Sequence, residues 1–142
     1  MIVRAMTKNQ PLDEDALALR TLMMPRDVNA YGTIFGGVIM GQMDLAALVQ
    51  ARKHASVRWV TVAVDRVEFV APVHVGDAVN YLTSTFRTGT SSVCVKVKVD
   101  AERGDGSGIA RVTEAELTMV AVDNEGRPMP FLNAQSSAET GS

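Results

Sequence analysis

A single cysteine, Cys94, leaves no partner for an intrachain disulfide, so the sequence is not that of a disulfide-stapled secreted domain. Cys94 sits in the strand-like run Ser92-Val93-Cys94-Val95-Lys96-Val97 with no base nearby, and reads as a structural thiol. Only two histidines are present, His54 and His74, and their spacing is not that of metal ligands. No stretch reaches the roughly 20 apolar residues that span a membrane. Met1 to Asp15, with Lys8, Asp13, Glu14 and Asp15, lacks the apolar core of a signal peptide. The formal net charge is −2, with both signs spread along the chain, which argues against a nucleic-acid binder. Internal repeats, an interdomain linker, a phosphate loop and a dinucleotide fingerprint are all missing. These absences predict a cytoplasmic protein without a membrane span.

The 142 residues fit one domain, and 46% hydrophobic residues supply a core. Residues 1–16 read as a flexible N-terminal segment and 17–130 as the folded domain. Residues 131–142, small and polar, read as a disordered tail. Within the domain, Ala18 to Met23 predicts a short strand stopped by Pro25. A loop follows to Phe35, with Asp27, Asn29 and Gly32 as turn residues. Gly36-Gly37 then opens a helix to about His54. Its residues Val38, Ile39, Met40, Met43, Leu45, Ala46, Leu48 and Val49 are apolar on every face, which predicts burial all round. Four strands follow, over Trp59–Ala71, Asp77–Thr88, Ser91–Ala101 and Ile109–Asp123. The third alternates Val93, Val95, Val97 and Val99 with polar residues. Short turns between consecutive strands imply an antiparallel sheet. An α+β architecture follows: a curved sheet wrapped around one long central helix, with the remaining apolar surface covered by a second copy.

Three features of this framework carry chemistry. Asp44 lies inside the most apolar stretch, where an unpaired carboxylate is costly. It reads either as a general base or nucleophile, or as a structural Asp bonded to backbone or to a partner chain. Gly36-Gly37 stands where the helix begins, and the first N–H groups of a helix lack intrahelical partners. Those groups can polarise a carbonyl and hold the oxyanion formed on attack, although a lone Gly-Gly is equally a plain loop-to-helix turn. Asn29, in the loop feeding the helix, offers an amide that orients a water or donates to a carbonyl; alone, it is a turn residue. Gly37 and Asp44 are seven residues apart, hence roughly 10 Å along the axis. Both must come within about 3 Å of one reacting centre to act together. Two antiparallel helices from two subunits achieve that, with Asp44 from one chain and Asn29 plus Gly37 from the other.

The run Asn29-Ala30-Tyr31-Gly32-Thr33-Ile34-Phe35-Gly36-Gly37…Gln42-Met43-Asp44 closely resembles the signature of hotdog-fold acyl-CoA thioester hydrolases, in the small bacterial YciA-like branch. The resemblance continues through Val60-Thr61-Val62, Val67-Glu68-Phe69, Val75-Gly76-Asp77 and Thr88-Gly89-Thr90-Ser91-Ser92 to Arg127-Pro128. It implies hydrolysis of acyl-CoA to free acid and CoA, with Asp44 catalytic and Asn29 assisting from the opposite subunit. It implies self-association as a dimer or higher oligomer, tetramer or hexamer, and no metal or redox cofactor, CoA entering as part of the substrate. Thr33, Phe35, Gly36 and Val38 then belong to the substrate site. The Gly89, Thr90, Ser91, Ser92 segment lies near CoA, and Arg87, Arg58, Lys53 and Lys96 are candidates for its phosphates, each equally a solvated surface charge. Relatives often carry a bulky aromatic where this chain has Val38, which bears on acyl preference.

Two other readings compete. A non-catalytic acyl-CoA-binding regulatory module of the same fold would need no carboxylate at position 44. A hydratase or dehydratase of that fold would want a histidine near the helix start, whereas His54 is at its end.

Overall fold

Val93, Val95, Val97 and Val99 alternate along one strand, and all four are wholly buried. That period of two makes one face of a sheet apolar, and the helix lies on that face. The computed structural model describes residues 11–131. Its strands are β1 (Ala16–Leu22), β2 (Arg58–Asp65), β3 (Ala78–Thr88), β4 (Ser92–Glu102) and β5 (Ile109–Val122), and its one α-helix is α1 (Gly36–Arg52). They form one antiparallel sheet in the order β1-β3-β4-β5-β2. The long hairpins β3–β4 and β4–β5 make its centre, and β1 and β2 are its edges. The α+β architecture expected from the sequence is the one observed.

α1 lays Ile39, Met43, Ala46, Ala47, Gln50 and Ala51 on the sheet. The spacing follows one helical face, and its three alanines let backbone and sheet approach closely. The opposite face is bare. Met40, Val49 and Leu45, the last 56% exposed, face outward. The apolar composition of α1 therefore does not bury it within one chain, because a five-stranded sheet covers only one side of a helix.

β2 is shorter than its sequence suggests. Val67, Phe69 and Val70 have strand-forming side chains, yet pairing stops at Asp65. Arg66 takes a left-handed φ of 52° and turns the chain out of the sheet. Residues 66–71 then cross toward the start of α1, where the Phe69 ring meets Gly36. A tertiary contact has overridden local preference. The segment stays fastened to β5 by Val70 N–H to the Val112 carbonyl (2.8 Å) and by the Thr113 hydroxyl to the Glu68 carbonyl (2.6 Å).

The two ends of the sheet are fixed differently. Near the start of α1, the buried Asp77 accepts hydrogen bonds from the backbone N–H groups of His74 and Gly104 and from the Arg103 guanidinium (2.9, 3.1 and 2.7 Å). Burial works against its charge, but these donors outweigh it and hold the carboxyl below its ordinary value. At the other end, Phe131 is buried against Trp59 (ring centroids 5.3 Å apart) and His54 (6.2 Å). The domain boundary expected at residue 130 therefore extends at least to Phe131; the rest of the expected tail lies outside the described residues.

Residues 1–10 also lie outside the described residues. The remainder of the segment expected to be flexible is tied down. Leu12 N–H donates to the Thr85 carbonyl (2.6 Å). Asp13 accepts from Thr85 N–H (2.7 Å) and from the Gln50 amide (2.9 Å). The second Gln50 N–H reaches the Thr85 hydroxyl (2.9 Å), and the Thr83 hydroxyl donates to the Gln50 carbonyl (3.0 Å). The Thr85 hydroxyl is also hydrogen-bonded to His54 Nε2, 2.8 Å away, the donor being set by the imidazole tautomer. A neutral His54 completes the chain.

Burial lowers the His54 pKa from its ordinary 6.5; Asp13 opposes that shift and Lys53 adds to it. A lowered pKa means that the unfolded chain binds the proton more readily than the fold does. The stability from neutral His54 is fully present above about 6.5 and is lost as pH falls through the lower folded value. Urea midpoints measured across this window are expected to fall toward acid, with a shallower fall in His54→Asn. Equal pH slopes in the two proteins would remove His54 from the linkage.

Candidate active site

The loop before α1 is a compact hairpin. Val28 and Ile34 bridge across it, and Gly32, at a φ of 86°, makes the turn between them. Asn29 organises its interior. The side-chain oxygen accepts from Tyr31 N–H (2.8 Å) and Thr33 N–H (3.2 Å), and the side-chain nitrogen donates to the Thr33 hydroxyl (3.0 Å). Two backbone donors on one atom identify it as the oxygen, so the orientation of the amide is determined. The oxygen is fully used. One N–H remains, without a partner among the described residues. Asn29 can therefore donate to a ligand but cannot act as an acceptor.

Gly36 and Gly37 open α1, and their N–H groups have no helical carbonyl four residues back. Phe35 lies against them. A Cβ on Gly37 would stand 2.5 Å from the Phe35 ring, so any side chain there displaces it. Phe35 itself is 57% exposed, and Tyr31 is 91% exposed. Two large aromatic side chains thus stand in solvent beside the helix start, next to its bare apolar face.

Two turns further on, Asp44 lies on that bare face and is exposed in the single chain. The burial expected from its apolar neighbours does not arise within one chain, because Met40 and Leu45 face outward too. Asp44 does have a partner that sequence reasoning gave no role. The Thr61 hydroxyl, on edge strand β2, makes a short hydrogen bond to Asp44 Oδ1 and lies 3.2 Å from Met119 Sδ. A hydroxyl has one proton, and a carboxylate is the stronger acceptor, so the proton points to Asp44. Its signal in the sequence was faint: a lone threonine between valines in a strand has many uses.

A cavity of about 350 Å³ opens beside the helix start, lined by Thr33, Ile34, Gly36, Ile39, Phe69 and Val73 among others. Of the residues expected to bind substrate, Thr33 and Gly36 line it; Val38 and Phe35 do not. Among the described residues, no group of three or more His, Cys, Asp or Glu side chains converges to hold a metal ion.

The turn between β3 and β4 is well formed. Gly89 N–H donates to the Ser92 carbonyl (2.8 Å), the Thr90 carbonyl accepts from Phe131 N–H (3.3 Å), and that of Ser91 accepts from Ala121 N–H (2.8 Å). A Cβ on Gly89 would lie 2.6 Å from Ser92 Oγ, so a side chain there would require the Ser92 hydroxyl to turn aside. Arg58, at the start of β2 opposite Val122, and Lys53, just past α1, belong to this same end of the sheet. Arg87 does too, its guanidinium 5.5 Å from the Phe86 ring and 3.5 Å from Cys94 Sγ. Lys96 does not belong to this cluster. It sits mid-strand, opposite Glu116 at 4.0 Å.

Within one chain the parts are dispersed. Asn29, Gly37 and the cavity occupy one end of the sheet, and Gly89 to Ser92 the other, a strand length of roughly 30 Å away. Asp44 lies between them. A two-fold axis perpendicular to the helices, through their bare faces, would run them antiparallel and let the start of one lie beside the middle of the other.

Comparison with known proteins supplies a context for this arrangement. Residues 31–107 match the family model described as the thioesterase superfamily. The chain is 42% identical to the acyl-CoA thioester hydrolase YciA of Escherichia coli, over 86% of this chain and 93% of that one. Its fold superposes on a hexameric thioesterase from Yersinia pestis with a TM-score of 0.79 and 44% identity, covering 84% of this chain and 98% of the other. A hexameric hotdog fold thioesterase of Campylobacter jejuni gives 0.78 and 35%, covering 87% and 96%.

Proposed function

This chain belongs to the thioesterase superfamily and has the hotdog fold, and from that membership we propose that it hydrolyses acyl-CoA thioesters to the free acid and CoA. The observation that carries the reading is Asp44, a carboxylate held by the Thr61 hydroxyl on the bare face of α1. A binding module would have no use for it.

The site is read as shared between two chains. One contributes Asp44, oriented by Thr61. The other contributes Gly37 N–H and the one unspent N–H of Asn29, which together polarise the thioester carbonyl and hold the oxyanion. Because the Asn29 oxygen is taken up by Tyr31 and Thr33, the proton acceptor is Asp44. Two routes balance. Asp44 takes a proton from water as the hydroxide adds to the carbonyl carbon, and the tetrahedral intermediate then expels the CoA thiolate. Alternatively Asp44 Oδ2 adds directly, expels the thiolate and leaves a mixed anhydride that water cleaves. Label found in Asp44 after single-turnover hydrolysis in oxygen-labelled water would exclude the first route, because only the second joins Asp44 to the acyl group.

The Gly89–Ser92 turn is read as lying along CoA, with Arg87, Arg58 and Lys53 near its phosphates. Closing the bare helix faces makes the dimer, and the hexamers formed by similar proteins support further assembly. The test is thiol release from a panel of acyl-CoAs, short to long. Turnover above the uncatalysed rate is expected. Tight binding of acyl-CoA without thiol release from any of them would replace the enzyme reading with that of a regulatory binding module.

A further inference from the structure

We propose that the cavity beside the start of α1 receives the acyl chain, and that Phe69 sets the length it accepts. The inference rests on the thioesterase reading and extends it to the substrate's other half. The first acyl carbon is bonded directly to the thioester carbonyl. With the carbonyl at the Gly37 N–H, the chain must enter whatever adjoins the start of the helix. Gly36 is itself part of the cavity wall.

The lining favours the acyl group over CoA. Thr33 is its one polar side chain, and no cation is present to meet a phosphate. The floor is rigid: Ile34, Ile39 and Val73 are core residues, at most 6% exposed. The outer wall faces solvent. Phe69, 44% exposed, and Val70 belong to the 66–71 segment that has left the sheet. The Phe69 ring stands 3.7 Å from where a Gly36 Cβ would be, on the exposed side of the cavity. A volume of about 350 Å³ lies near the small end of the range for ligand sites, about 300–1,000 Å³. Short and medium chains fit inside; longer ones must pass Phe69.

The experiment compares kcat/KM for saturated acyl-CoAs of increasing length in wild type, Phe69→Ala and Ala71→Leu. Removing the ring is expected to raise the long-to-short ratio about tenfold or more, the scale of one to two methylenes in a hydrophobic pocket. Ala71 also lines the cavity, and leucine there is expected to lower the ratio by a similar factor. Unchanged ratios in both variants would overturn the proposal. So would a change in oligomer size, by size-exclusion chromatography, without a change in ratio, which would mean that a partner side chain fills the space. Wild type that releases no thiol from any substrate would sink the hydrolase reading itself, and this proposal with it.

Discussion

Asp44→Asn is expected to lower kcat by roughly 10²–10⁴-fold, the span usual for loss of a positioned acid–base group, while acyl-CoA binding and thermal midpoint stay near those of wild type. The substitution keeps size and shape. Thr61 can still donate, now to an amide oxygen, so the local geometry survives. Asp44 is exposed in the single chain, so little folding energy rides on its charge. What is lost is the ability to accept a proton from water or to attack carbon. Stopped-flow thiol detection together with calorimetric CoA titration checks both halves of the expectation. An asparagine variant with near-normal kcat would remove Asp44 from the chemistry. A variant that no longer binds CoA or melts early would make it a structural residue.

The second large effect is restoration. Asp44→Asn and Asn29→Ala are each expected to be nearly inactive alone. When the two are unfolded together and refolded as a mixture, activity is expected to return to about a quarter of wild type. The count follows from symmetry. Random pairing makes half the dimers mixed. Each mixed dimer has one site with both lesions and one with neither. Recovery requires that the two residues of one site come from different chains. Activity no higher than the average of the two parents would show instead that each chain builds its own site. The dispersal of the parts along one sheet favours recovery. So does the orientation of the Asn29 amide, whose free N–H is not directed to any described group of its own chain.

Much of the architecture was legible because its patterns are local. The valine alternation from Val93 to Val99 needs nothing beyond its own strand, and the Gly36-Gly37 junction announces the helix start. The candidate residues were legible as a list, since Asn29, the glycines and Asp44 are unusual for where they stand. Three things were not. The departure of residues 66–71 from the sheet depends on the Phe69 contact with Gly36, more than thirty positions away in sequence. The Thr61–Asp44 bond joins β2 to α1 across a register that a β-bulge between Thr61 and Ala63 shifts, which no periodicity encodes. The Asp13–Gln50–Thr85–His54 chain draws on three separate segments. It makes an ordered anchor of residues whose composition alone suggests none. Apolar composition marked α1 as a helix to be covered on all sides, part of it by a second copy, but did not say which face one chain leaves bare.

That half-covered helix has a consequence for the life of the protein in a cell. On the proposed pairing, a newly made chain carries Met40, Leu45 and Val49 bare until it meets a copy of itself. On the shared-site reading it is both inert and adhesive before that encounter, and the same encounter ends both conditions. Expression level therefore acts on this protein in a steeper way than on a monomer. Halving the supply of chains lowers the rate of pairing about fourfold, and lengthens the interval in which chaperones and proteases compete for an unfinished molecule.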